Sequence, residues 1–321
     1  MRIGPLVFNE IFEPRPWGGR SLARVAGKRL PPGPPVGESW ELSDRNTVRE
    51  GMPAGRTLDE LVRAHPLEIV GRRGVRRFPL LVKLIDARQW LSVQVHPDDA
   101  CARRMKVSPQ GKTEAWFFLD VRPGSKMIAG LTRPGVAADL VGLARSGVIV
   151  KHLRRVAPKA GDVWFCPAGA VHALGPGLVI LEIQQNTDVT FRLYDWGRVG
   201  LDGKPRQLHL AESAQAVGDG RRSVTRCPAK LLRGLGFPAR RRVACDKFVI
   251  DDWRIARPAR RTKDRAFEIL HVAAGAGVLR GVGWPDVRLR RGLTVLVPAC
   301  VREYEFVPAR ALHIIRSAEG E

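Results

Sequence analysis

Two histidines, a glutamate and a glutamine have the types and the spacing of a metal-ligand set. In "LSVQVHPDD", Gln94 and His96 stand two apart, so on a strand both face one side. The next apolar run, "GKTEAWFFLD", brings Glu114, and the same alternation puts Lys112 on its face. His172 follows a rigid turn in "GDVWFCPAGAVH", where Pro167 fixes one φ angle and Gly169 frees another. Two imidazoles, one carboxylate and one amide oxygen suit a divalent zinc with one or two positions left open for a substrate. The same two-histidine, one-carboxylate set also holds ferrous iron, and spacing alone does not separate the two. For His172 taken by itself, a buried histidine bonded to backbone is the competing reading.

The elements that must position these side chains read mainly as strands. Val163 to Phe165 is a β-branched and aromatic run, and with "VHALGPGLVILEIQQN" it predicts a hairpin that points His172 into the mouth of an antiparallel barrel. The first 60 residues read as loop-rich, with "LPPGPPVGESWEL" as the main break. From Phe78 onward, "FPLLVKLIDA", "WLSVQVHP", "EAWFFLDV" and "KMIAGL" have the spacing of sandwich or barrel strands. Helical periodicity marks "TLDELVRAH", the stretch from Pro134 to Arg155, and "HLAESAQAV" from His209, which links two halves. The pattern glycine, five residues, proline occurs at Gly161 to Pro167 and again at Gly292 to Pro298. In the second copy Cys300 stands for Gly169 and Glu303 for His172, which predicts a duplication that lost its site. His271, in "EILHVAAGAG", has no second histidine two residues away, so the C-terminal half is expected to bind no metal. The sequence thus predicts a mainly β chain of two barrels, with an N-terminal catalytic domain at 1–217, a helical segment at about 134–155, and a degenerate C-terminal domain at 218–321.

Composition sets the outer bounds. The 321 residues, 44% of them hydrophobic, are enough for two cores. No run of about 18 apolar residues appears, so no membrane span is expected. The opening "MRIGPLVFNEIFEPRPWGG" lacks a signal-peptide core, which predicts a cytoplasmic protein. Cys101, Cys166, Cys227, Cys245 and Cys300 are odd in number and show no CxxC spacing, which predicts reduced, packing cysteines. The net charge of +22 invites a nucleic-acid reading. From Gly220 to Arg265, however, 15 Lys and Arg against 4 Asp come without a stacking motif or recognition-helix pattern. A solvated basic face that helps draw in an anionic substrate is the expectation, with no specific nucleic-acid partner.

The blocks "RPWGGRSL", "GESWELSD", "PLLVKLIDARQWLSVQVHPDD", "GKTEAWFFLD", "PAGAVHALGPGLVILEIQQNTDVTFRLYDWGR" and "KPRQLHLAESAQAV" resemble, in order from about residue 5 to 217, the short bacterial type I mannose-6-phosphate isomerases, zinc-dependent members of the cupin superfamily. The resemblance implies two cupin-type jelly-roll barrels, one zinc per chain, and a sugar phosphate as the small-molecule partner. It carries the metal ligands onto His96, Glu114 and His172, with Gln94 as the fourth candidate. It carries the catalytic arginine onto Arg192 and places Lys112 near substrate oxygens or phosphate. Compared with the general cupin pattern, Gln94 replaces the first histidine of the His-x-His pair, and Pro176 stands where an asparagine is usual. Both departures are in keeping with the isomerase branch.

The implied reaction moves a proton from C2 of mannose 6-phosphate to C1 through a cis-enediol, giving fructose 6-phosphate. A metal and the fixed charge of Arg192 stabilise the developing negative charge. Lys112, Glu182 and a water remain candidates for carrying the proton. Trp17, Trp40, Trp116, Trp164 and Trp196 are read as core and given no role. An iron-dependent dioxygenase of the same fold and a non-catalytic sugar-binding module stay open as alternatives.

Overall fold

Apolar runs too continuous to alternate become strands buried on both faces in the computed structural model, which describes residues 3–320. The strands Leu80–Ala87, Glu114–Val121 and Leu178–Gln185 lie side by side in an antiparallel seven-stranded sheet. From one of its faces Val82, Leu84, Ala115, Phe117, Leu181 and Ile183 share a core with Phe248, Ile250, Ile269 and Ile315 of a ten-stranded sheet. From the other, Ile85, Trp116, Phe118 and Ile180 share a core with Met127, Ala129 and Leu174 of a five-stranded sheet. Each large side chain buried this way contributes about 1.5–3 kcal/mol, so the middle sheet is fixed from both sides.

The face toward the five-stranded sheet changes character along its length. The cross-strand row Ile85, Ile180 and Phe118 is apolar, whereas the row Lys83, Glu182 and Trp116 brings two charges into the same face. On its outer side the five-stranded sheet is covered by the helices Leu140–Arg145 and Leu210–Val217, which pack on Val93, Val95, Phe191 and Leu193. Among the described residues no helix is long and apolar enough to cross a membrane.

Several sequence expectations change. The first 60 residues are not loop-rich: they hold the strands Leu6–Phe8, Ile11–Gly19, Val36–Leu42 and Val48–Glu50. Pro14 and Pro16 disguised one of these, and they are tolerated because Ile11–Gly19 is the edge strand of its sheet, where a missing N–H costs nothing. The stretch 134–155 is broken into a tight turn at Pro134–Asp139, a helix at Leu140–Arg145 and a second turn at Val148–His152, and it ends in the strand Leu153–Val156. Val163–Cys166 and His172–Leu174 do not form a hairpin; they belong to the seven- and five-stranded sheets respectively. Among the described residues none of the five cysteines forms a disulfide; Cys101 and Cys166 are buried as expected, while Cys300 is exposed and its Sγ faces the Ile3 carbonyl at 3.3 Å. The basic segment is only partly a bare solvated face, because Arg222, Arg226, Arg241, Arg242, Lys247 and Arg261 are ion-paired to acids.

The second glycine-to-proline copy repeats the local structure of the first, with a turn at Gly292 and the strand Thr294–Val297 matching Gly161 and Val163–Cys166. Its strand pairs with Glu268–Arg280, where His271 is 1% exposed and holds Thr294 Oγ1 at 2.9 Å. Burial pushes the His271 imidazole down to about 3. The unfolded chain therefore takes up this proton first, near pH 6.5, and stability falls as pH drops from there toward 3. Between pH 7 and 5 the loss from this one group is about 2 kcal/mol. Urea unfolding of the wild type and His271→Leu at both pH values is expected to show that component only in the wild type.

Candidate metal centre and its cavity

Strand register sets the floor of the site. His172 opens the strand His172–Leu174 and lies opposite Gln94 of Val93–Val95, and Gln94 lies opposite Arg192 of Phe191–Tyr194. Directly opposed residues share a face, so the three form one row across the five-stranded sheet. Glu114 reaches this row from the facing sheet and not from an adjacent strand as the sequence suggested. Its Oε1 is 3.2 Å from His172 Nε2, and its Oε2 is 3.5 Å from His96 Nε2. The two imidazole rings lie 4.9 Å apart, and one ligand atom from each of His96, Glu114 and His172 falls within 4.8 Å of the others. The turn before His172 is tied to the same place, because the Gly169 amide donates to the His96 carbonyl at 2.8 Å. Gly169 has φ +86°, and a Cβ there would sit 3.0 Å from the Ala216 carbonyl. Glycine is required on both counts.

The protons in this group settle what it fits. His96 Nδ1 faces the Val189 carbonyl at 2.9 Å, and His172 Nδ1 faces the Ala170 carbonyl at 3.0 Å. A carbonyl only accepts, so each Nδ1 carries the proton and each Nε2 presents a lone pair. Burial holds both imidazoles neutral, His96 well below the ordinary value and His172 down to about 4. His96 Nε2 and both Glu114 oxygens have no partner in hydrogen-bond geometry, and Glu114 is 0% exposed. Apart from the Lys112 ammonium beside Glu114 Oε2, no proton lies among these acceptors, and such a set suits a cation in its midst. With one ligand atom from each residue within 4.8 Å of the others, a cation about 2.1 Å from each ligand fits among them with small side-chain shifts. The Gln94 amide lies 3.1 Å from His172 Nε2, and turning it end for end presents Oε1 to the same point.

Gln94, Glu114 and His172 line a cavity of about 570 Å³. Lys112 Nζ stands 3.2 Å from Glu114 Oε2, and Arg192 and Thr190 share the cavity wall while Phe191 and Leu193 are buried in the core behind it. Burial alone pulls the Lys112 ammonium down, but the charges of Glu114 and Glu182 outweigh it and raise it above the ordinary lysine value. Glu182 accepts from Trp116 Nε1 at 3.1 Å, and burial with the nearby Glu114 charge pushes its carboxyl up to about 7. Arg192 makes no ion pair among the described residues and donates through Nη1 to the Gln207 carbonyl at 2.7 Å.

The family profile "Phosphomannose isomerase type I, catalytic domain" matches residues 7–114. A mannose-6-phosphate isomerase from Streptococcus mutans is 32% identical over 307 residues, covering 94% of this chain and 95% of that protein. The chain belongs to the mannose-6-phosphate isomerase family. A crystal structure of mannose 6-phosphate isomerase from Bacillus subtilis superposes on it with a TM-score of 0.90 at 31% identity, covering 98% of this chain and 99% of that one. A more distant mannose 6-phosphate isomerase, 15% identical with a TM-score of 0.76, shares the fold and is bound with zinc and yttrium in its crystal.

For this isomerase-family member the sequence reading left several cavity residues without a role. Lys83, 2% exposed, donates to Asp188 at 2.9 Å, lies 3.6 Å from Glu38 and sits over the Trp40 ring at 4.6 Å. Trp17 and Trp116 line the cavity as well as the core. One signal was available: a single lysine in the run Leu80–Ala87, which is otherwise nearly all apolar, must find a carboxylate if both faces are buried.

Proposed function

We propose that the chain is a zinc-dependent aldose–ketose isomerase that interconverts mannose 6-phosphate and fructose 6-phosphate, using a catalytic unit that ends near residue 217. The observation that carries this reading is the set of unprotonated acceptors of His96, Glu114 and His172 gathered together, with Glu114 and His172 on the wall of a cavity. Those three residues hold the metal, with Gln94 as the fourth ligand. Zinc bound there polarises the substrate oxygens and stabilises the negative charge that develops on them.

The remaining work falls to the chain's own groups. A base takes the proton from C2 while the C1 carbonyl oxygen gains one, which forms the cis-enediol. Protonation at C1 and loss of the proton from the C2 hydroxyl then give the ketose. Lys112, kept protonated, is the charge beside the reacting oxygens and is a poor base. Glu182 is the better proton carrier, since a carboxyl near 7 takes up and returns a proton at neutral pH. Arg192 adds a fixed positive charge that acts on the enediol. Trp116, through its indole N–H, fixes the Glu182 carboxylate in place.

Glu182 must be ionised to accept the C2 proton, so kcat/KM is expected to fall with decreasing pH, in an acid limb centred at or below about 7, because a bound cation lowers a neighbouring carboxyl. Glu182→Gln is expected to remove that limb together with most of the rate. A coupled assay following fructose 6-phosphate formed from mannose 6-phosphate tests the reaction itself. No turnover above background by zinc-loaded protein would overturn it.

A further inference from the structure

We infer that Arg206, held in place by Asp195, anchors the phosphate group of the substrate; this deepens the isomerase reading above and rests on it. Five cations line the cavity: Arg15, Lys83, Lys112, Arg192 and Arg206. Three have carboxylates close by that no cation outside the cavity shares. Lys112 has Glu114 at 3.2 Å, Lys83 has Asp188 at 2.9 Å, and Arg15 has Glu38 at 3.1 Å. The other two meet at one corner. Arg192 is bound only to a carbonyl, and Arg206 shares the single carboxylate of Asp195 with Arg198. Asp202, the other acid at this end, accepts from the Lys204 amide at 3.1 Å and is exposed. Three guanidiniums thus surround one buried carboxylate. After burial, the charge of Arg206 is what lowers the affinity of Arg192 for its proton. An anion at this corner relieves that repulsion.

The orientation of Arg206 suits a phosphate. Its Nε and Nη2 donate to the two Asp195 oxygens at 2.8 and 2.5 Å, which leaves Nη1 without a hydrogen-bond partner among the described residues on a side chain that lines the cavity. Asp195, 6% exposed, is itself fixed by Arg198 Nη2 at 2.6 Å. A guanidinium braced along one edge presents the other edge as a preorganised fork, the geometry that phosphate oxygens accept. The place is also right. Arg192 lies on the edge strand of the five-stranded sheet, two strands from His172, and the following segment bonds its outer side through the His209 amide and the Arg192 carbonyl at 2.8 Å. At about 4.8 Å per strand, the Arg192 backbone lies some 10 Å from that of His172, a gap its long side chain spans toward C1 and C2 at the metal ligands, while Arg206, in the segment beyond that edge strand, stands where a sugar so placed directs its sixth carbon.

The test uses the full-length, zinc-loaded protein with Arg206→Ala, Arg206→Lys, Asp195→Asn and, as a charge control away from the cavity, Arg233→Ala. Arg206→Ala is expected to raise KM for mannose 6-phosphate by about 10- to 50-fold, the order of one charge-assisted contact, and to weaken inhibition by inorganic phosphate to a similar degree. The change in kcat should stay within about threefold, since the lost contact is made equally before and during reaction. Arg206→Lys keeps the charge without the fork and should fall in between. Asp195→Asn, which loosens the brace, should shift KM the same way by less, and Arg233→Ala should match the wild type. KM and phosphate inhibition unchanged in folded, zinc-containing Arg206→Ala would overturn the anchor, as would an equal effect of Arg233→Ala. If the wild type fails to isomerise mannose 6-phosphate, the reaction reading falls. Thermal stabilisation by inorganic phosphate, present in the wild type and Arg233→Ala and absent in Arg206→Ala, still decides the anchor.

Discussion

Purified His172→Ala is expected to be folded, to carry no zinc and to turn over at least about 10³-fold more slowly, since a metal acting as Lewis acid supplies several kcal/mol of transition-state stabilisation. The imidazole contributes little else that alanine could not replace. Its Nδ1–H satisfies one backbone carbonyl, and its ring touches Trp116 at 5.4 Å and His96 at 4.9 Å, so the fold loses packing but keeps three sheets held by separate cores. Losing metal and rate together is the signature of a ligand. A variant that keeps its zinc and loses only rate would make His172 something other than a ligand. Metal analysis and the coupled assay on the same sample separate the two.

Arg192→Ala is expected to keep zinc and a cooperative fold and to lose activity by roughly 100-fold or more, mainly in kcat, the order for removing one preorganised charge donor. The reason lies in the charges around Arg192. Among the described residues it has no carboxylate partner to leave stranded, so removing it deletes no ion pair there, and its Nε is a buried donor without a hydrogen bond. Burial and the neighbouring Arg206 make its positive charge costly in the resting state, and that cost is recovered when negative charge develops in front of it. A structural role would show instead as a lower melting temperature with near-normal kcat. The split from Arg206→Ala is the point of the pair: one is expected to act on kcat and the other on KM.

How much was legible in the sequence depended on whether a residue's partners were local. Gln94 with His96, Lys112 with Glu114, and the turn leading to His172 each sit within a few residues of a strand end, so alternation and turn chemistry were enough to place them on elements. What alternation lacked was the sheet to which each strand belongs. Glu114 comes from the sheet facing His172, and the supposed hairpin crosses between sheets, because the seven-stranded sheet is buried on both faces and its strands therefore carry no polar face to mark their orientation. Arg206 and Asp195 were missed because one arginine among 54 basic residues has no individual signature until a hairpin folds it back onto an acid eleven positions away. Prolines misled at Ile11–Gly19 for the opposite reason. They forbid only an interior strand, and an edge cannot be told from an interior without knowing the neighbours.

The claim that one metal at His96, Glu114 and His172 supports the isomerase reaction is tested most directly by stripping the protein with chelator and titrating zinc back while bound metal and mannose 6-phosphate turnover are followed together. The expected result is negligible rate in the stripped protein and a linear rise that breaks at one zinc per chain, with His172→Ala showing neither binding nor recovery. Full turnover without metal, or a break at two zinc ions per chain, would contradict it.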